Sequence, residues 1–208
     1  MLSVQESIDY HKDICHWGYT PLHLAARYGN EDLGISLILR GAKVNAQDCS
    51  GATPFHVASC HNKQSFVRVL SHSKAGGDIN SKTLNESTPL HSAATCGAVD
   101  VIDHLLYWKA NLTAVDDHGM TPLHYSILNV KSNQSFSQVL LNDRRGHLTQ
   151  FFNDGNRIRN ADLLPWLDTL LVLIFRGSDI DAVDISGRTA LHIAANDGLA
   201  DAVNVLLH

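Results

Sequence analysis

Apolar residues in this chain fall into short clusters, each the width of one helix face, with polar residues and glycines spacing them at a steady interval. Leu22 with Ala25 and Ala26, Leu90 with Ala93 and Ala94, and Leu191 with Ala194 and Ala195 share the i, i+3, i+4 spacing of a narrow helical stripe. The paired Ala residues keep that stripe small enough for a neighbouring helix to approach closely. A second apolar cluster follows each time, at Leu33–Leu39, Phe66–Leu70, Val101–Leu106, Leu170–Phe175 and Ala202–Leu207. Gly29, Gly97 and Gly198 fall where three of the first helices must end, and glycine readily adopts the left-handed conformation such ends use. The pattern predicts an all-α chain of short helix pairs.

One motif opens the first helix of each pair. It reads Thr20-Pro21-Leu22-His23, Thr53-Pro54-Phe55-His56, Thr88-Pro89-Leu90-His91, Thr121-Pro122-Leu123-His124 and Thr189-Ala190-Leu191-His192. Thr suits the N-cap, where its hydroxyl can serve the exposed amides of the first turn. Pro suits the first helical position, where a missing N–H costs nothing and the fixed φ is already helical. The copies begin at 20, 53, 88, 121 and 189, so the first four lie 33 or 35 residues apart and the last gap is two such intervals. A period of this length marks a stacked solenoid, in which each unit buries its face only against its neighbours.

The links between units recur as well. Gly41-Ala42-Lys43-Val44-Asn45-Ala46-Gln47-Asp48 has its fullest counterpart in Gly177-Ser178-Asp179-Ile180-Asp181-Ala182-Val183-Asp184. Such links run into turns like Asp48-Cys49-Ser50-Gly51, Asp116-Asp117-His118-Gly119 and Asp184-Ile185-Ser186-Gly187, with Asp and Gly where turn chemistry prefers them. The third turn departs from this, because Glu86 stands where Gly is expected, and its tip is expected to be less regular.

Turn, helix, turn, helix at about 33 residues, opened by Thr-Pro-Leu-His, resembles the ankyrin repeat, over roughly residues 14–208. The resemblance implies an all-α ankyrin-repeat solenoid of about six stacked helix-turn-helix repeats, with short β-hairpin loops. It implies that His23, His56, His91, His124 and His192 are structural, their imidazoles bridging Thr hydroxyls and backbone groups of neighbouring repeats. It also implies that a partner binds a concave surface made by hairpin tips and the exposed side of the first helices. The partner-binding candidates on that surface are Trp17, Tyr19, Arg27, Tyr28, His61, His118, Met120 and Arg188.

The expected division is a lead-in or cap at 1–14, then repeats near 15–47, 48–82, 83–115 and 116–148, a degenerate or inserted 149–183, and 184–208. Two registers stand open beyond Thr121. Asn133–Leu140 is similar to Asn62–Leu70 in the second helix of repeat two, which favours six repeats with an irregular fifth. Alternatively, residues 131–163 are one insertion inside repeat four, and Pro165–Arg176 is its second helix. Asn142–Asn160 holds Arg144, Arg145, His147, Arg157 and Arg159 beside Phe151 and Phe152. That segment is either a solvated loop packed by its phenylalanines or a contact loop, with Arg144 and Arg145 as a rival binding site. The chain stops inside the second helix of its last repeat, as expected of part of a longer protein or of an exposed edge.

Composition narrows the function. A net charge of -5 over 208 residues gives no electrostatic ground for nucleic acid as a partner. Cys15, Cys49, Cys60 and Cys96 lack the spacing of a metal knuckle or disulfide framework and read as reduced thiols. Residues 1–14 contain no secretory apolar core. The run Leu163–Phe175, broken by Pro165 and Asp168, is too short to span a membrane. An intracellular protein is therefore expected, cytoplasmic or nuclear, without membrane insertion. His61 and Cys96 occupy equivalent positions of adjacent repeats. Stacked helices about 8–10 Å apart would nonetheless hold them too far from a shared zinc, whose bonds are about 2.0–2.3 Å. No phosphate-cradling glycine motif, zinc-protease helix or nucleophile elbow occurs, so no cofactor, metal, small-molecule substrate or catalytic residue is assigned. The expected function is a non-catalytic protein–protein interaction module acting as adaptor, scaffold or inhibitor. The alternatives are a targeting or regulatory domain of a larger enzyme, and an inhibitor of Rel-type transcription factors.

Overall fold

A computed structural model describes residues 18–72, 75–128 and 165–207, and among these residues there are ten helices and no strand. In chain order they are α1 (Pro21–Tyr28), α2 (Glu31–Leu39), α3 (Pro54–Cys60), α4 (Gln64–Ser71), α5 (Pro89–Cys96) and α6 (Val99–Tyr107). They continue with α7 (residues 122–128), α8 (Pro165–Phe175), α9 (Ala190–Asn196) and α10 (Ala200–Leu207). First helices stack on first helices, α1 on α3 and α3 on α5. Second helices form a parallel row, α2 on α4, α4 on α6, α6 on α8 and α8 on α10. The lead-in at 1–14 and the segment 142–160 lie outside the described residues.

The apolar stripes account for the packing. Leu22, Phe55, Leu90 and Leu123 are fully buried, as are the Ala pairs that follow Leu22 and Leu90. The second row contributes Phe66, Ile102, Leu105, Leu170 and Leu173. Close approach within the second row is visible at Gly34 of α2, where an added Cβ would sit 2.5 Å from the Phe66 ring of α4. The first, third and fifth pairs turn on left-handed glycines, Gly29 at φ 69°, Gly97 at φ 70° and Gly198 at φ 68°. Asn62 takes that place at φ 51°, and Asn is among the few other residues that tolerate it.

Hairpins project from one edge of the stack and are tied tip to tip. Leu84 N donates to Ser50 O (2.9 Å), Asp117 N to Asn85 O (3.1 Å) and Ile185 N to His118 O (2.9 Å). The expected irregularity at the third tip is absent. Glu86 adopts φ 61°, the conformation of Gly51, Gly119 and Gly187. Its hairpin keeps the pattern Thr83 N to Ser87 O and Glu86 N to Thr83 O, both 3.0 Å. The bonds on either side over-determine this tip, so a glutamate is forced where glycine would be easier.

The same ladder decides the register beyond Thr121. The hairpin at 116–120 bonds directly to that at 184–188, and the His124 imidazole reaches Arg188 O at 3.2 Å. No unit is interposed between them. We infer that 131–163 is an insertion between α7 and α8, with Pro165–Phe175 as the second helix of the fourth unit. On this inference the described residues make five units, and 149–183 holds the end of an insertion and the second helix of the fourth unit in place of a degenerate unit of its own.

Candidate functional site

The surface is built on the Thr-x-x-His motif. In all five units the Thr backbone N–H donates to the His Nδ1, at 3.1, 3.1, 3.0, 3.1 and 3.3 Å along the chain. An amide cannot accept, so Nδ1 carries a lone pair, and the Thr hydroxyl donates to it as well. Nε2 therefore holds the proton. It donates to the next hairpin, at Ala52 O (3.0 Å), Ser87 O (3.1 Å), Met120 O (3.0 Å) and Arg188 O (3.2 Å). Each of these four histidines pins one first helix to the following hairpin, as the resemblance implied. Burial disfavours the imidazolium of His23, His91 and His124 and pushes His56 down to about 4. Neutral, and with both nitrogens engaged, they position the surface and take no part in chemistry.

Aspartates shape the hairpin tips. Asp48 Oδ1 accepts from Ser50 N (2.8 Å) and Ala52 N (2.9 Å), and Asp116 Oδ1 from His118 N (2.9 Å) and Met120 N (2.8 Å). Asp184 Oδ1 accepts from Ser186 N (2.8 Å) and Arg188 N (2.9 Å). The Arg188 amide, seconded by its guanidinium, holds the Asp184 carboxyl below the usual range. Tyr125 OH donates to Asp116 Oδ2 (2.7 Å), and burial, then that bond, push its phenol up to about 12. Asp116, Asp117 and His118 bring potential ligand atoms within 4.8 Å of one another. Both Asp116 oxygens are nevertheless taken by the hairpin and Tyr125, and His118 Nδ1 donates to Asp117 (2.6 Å). The acidic pair is a turn device, as its place in the repeat suggests.

The candidate residues distribute unevenly. Arg27, Tyr28 and His61 are exposed at the C-terminal ends of α1 and α3, and His118 and Arg188 are exposed on the hairpins. Tyr28 also borders an open apolar groove with Pro21, Leu24 and Leu33 on the first unit. Tyr19 is half-buried and stacks on the His23 ring at 5.3 Å, and Met120 is half-buried against the core, so both support the surface from beneath. The Arg188 guanidinium rests on Asp184 at 2.8 Å. Trp17, Arg144 and Arg145 lie outside the described residues.

Two features were not anticipated. Cys60 and Cys96 are joined in a disulfide, with Cα atoms 5.2 Å apart, which corrects their reading as reduced thiols. A cysteine pair within one register position across adjacent units was the available signal. Tyr107, Trp108 and Phe175 stand exposed at the ends of α6 and α8, although their helices looked like core. Among the described residues, no helix is long and apolar enough to cross a membrane.

Helix pairs pinned by Thr-x-x-His, with hairpins tied in one ladder, define a repeat solenoid. The family models described as "Ankyrin repeats (3 copies)", at residues 2–83 and 75–150, and "Ankyrin repeat", at 186–208, match the chain. The chain belongs to the ankyrin-repeat family, whose repeats are generally protein–protein interaction modules. It is similar to neurogenic locus notch homolog protein 2 of Homo sapiens, 35% identical over 109 residues, covering 52% of this chain and 4% of that protein. Notch homolog protein 1 of Xenopus laevis is 31% identical over 123 residues, or 59% of this chain and 5% of the relative. The mouse counterpart is 32% identical over the same length. The chain thus spans only 4% to 5% of the length of these relatives.

Proposed function

We propose that this chain is a non-catalytic interaction module, an adaptor, scaffold or inhibitor, that binds a protein partner on its hairpin tips and the exposed side of its first helices. The hairpin ladder carries this reading. Its backbone bonds hold the tips in register while Leu84 and Ile185 project from them at 72% and 74% exposure. Apolar side chains held rigidly in water lose little freedom when a partner covers them. Asp117, His118 and Arg188 supply the polar rim that such contacts use, and Arg27, Tyr28 and His61 extend the face along the first helices.

The test compares two faces. Partners captured from extract by the chain, and identified by mass, are titrated against Leu84→Asp/Ile185→Asp and against Tyr107→Asp/Phe175→Asp. All four positions are exposed, so the fold tolerates the charges. Binding weakens by at least about 2 kcal/mol in the tip variant and holds in the other. The opposite pattern moves the site to the second-helix row. Loss confined to Arg144→Ala/Arg145→Ala, and only at low salt, moves it to the arginine-rich segment.

A further inference from the structure

Two cysteines from adjacent units meet on the face just described. Cys60 ends α3, Cys96 ends α5, and a disulfide joins them. Counted from the motif threonine, Cys60 is the seventh residue after Thr53 and Cys96 the eighth after Thr88. Successive residues on a helix point about 100° apart, so this offset turns the two side chains toward one another across the gap between stacked helices. Cys96 is exposed and Cys60 half-buried, and exposed His61 and Thr95 flank them, so a small thiol reaches the pair from solvent.

The stack does not depend on this bond. α3 and α5 are already held by buried Phe55, Leu90 and Ala93 and by the His56 bond to Ser87 O. α1 contains no cysteine, yet it stacks on α3 through the same histidine device, His23 to Ala52 O. A covalent link added to an interface that is complete without it, and placed where reagents arrive, has the attributes of a switch.

We propose that Cys60 and Cys96 form a reversible thiol–disulfide site that locks and unlocks the binding face between the second and third units. Closure takes a disulfide co-reactant of the glutathione class. The more exposed Cys96 thiolate attacks one of its sulfurs and expels a thiolate. The Cys60 thiolate then attacks the Cys96 sulfur of the mixed disulfide, forming the protein bond and expelling the second thiolate. The protein gives up two electrons and two thiol protons, which end on the two thiols released, and excess thiol reverses both steps. Closed, the pair fixes the ends of α3 and α5 at one separation. Open, the ends part, and His61 and Thr95 present a different spacing. The consequence for binding rests on the partner-binding reading of this face, whereas the redox site does not.

The full chain is equilibrated in glutathione buffers from oxidised to reduced, quenched with an alkylating reagent, and mapped by mass. The Cys60–Cys96 link passes from closed to dialkylated with the steepness of a two-electron couple. Amide exchange over 54–62 and 89–97 rises by about tenfold or more on reduction, while exchange over 190–207 holds steady. Cys60→Ser/Cys96→Ser exchanges at the reduced rate in both buffers, and if that variant fails to fold, the titration of the unaltered chain decides alone. A link that never closes in oxidised glutathione, that stays closed in the most reducing buffer, or whose opening leaves exchange unchanged overturns the proposal. Since no partner is used, failure here leaves the Leu84/Ile185 test standing, and failure of that test leaves the titration standing.

Discussion

The third and fifth units are written in nearly the same letters, Thr88-Pro89-Leu90-His91-Ser92-Ala93-Ala94 and Thr189-Ala190-Leu191-His192-Ile193-Ala194-Ala195. Their local geometry agrees, with the Thr hydroxyl 2.9 Å from His Nδ1 in one and 2.8 Å in the other. Their burial does not. Leu90 and His91 are fully buried, whereas Leu191 is half-buried and His192 exposed. The third unit lies between two neighbours, and its His91 reaches Met120 O in the next hairpin. The motif thus specifies the turn into a helix, and the adjoining unit supplies most of the stabilisation, as nearest-neighbour behaviour in a solenoid requires.

The largest test of that contrast is a truncation made in both units. Leu90→Ala costs about 2–5 kcal/mol in urea unfolding, and Leu191→Ala less than about half of that, since its surroundings are already open. Equal losses would break the comparison.

Acid sharpens it next. His56 sits near 4 in the folded chain against an ordinary 6.5, so the unfolded chain takes the proton first. Stability is therefore fully present above about pH 6.5 and falls as pH drops toward 4. This gap alone is worth about 3 kcal/mol at its fullest. His23, His91 and His124 push in the same direction. Urea midpoints followed through that window should show the fall, with His56→Ala flattening it. An acid-insensitive midpoint would contradict the neutral-imidazole arrangement.

The smallest effect concerns Glu86. Glu86→Gly relieves the left-handed strain but loses the exposed Lys82 ion pair, for a net gain of about 0.5–1 kcal/mol in the same assay. A loss would mean that the ion pair outweighs the backbone.

The helix pairs and histidine pins were legible because each motif copy states its own local rule. The insertion was not, since two intervals of chain fit a sixth unit and a long insertion equally well. The contacts of His118 with Ile185 and of His124 with Arg188 are what favour the insertion. Glu86 shows a local preference overridden by the bonds around it. The register drew attention to His61 and Cys96 as equivalent positions, and so away from Cys60, one residue earlier, which is the true neighbour. Exposure along the tips follows from the repeat, but what a partner looks like is not written in one chain.

The His124–Arg188 bond also bears on the order in which the chain folds. It joins residues 64 apart, whereas the other three such bonds close separations of 29, 31 and 29. Doubling a loop adds only about 0.6 kcal/mol of closure entropy, yet it slows the search for the contact. The first three units, whose contacts are local, are therefore expected to nucleate the stack, with the fifth docking last, which pulse-labelled amide exchange during refolding would check. During that interval the growing end presents the apolar face of α7 to water, which makes the late docking of residues 184–207 the step most exposed to misassociation between chains.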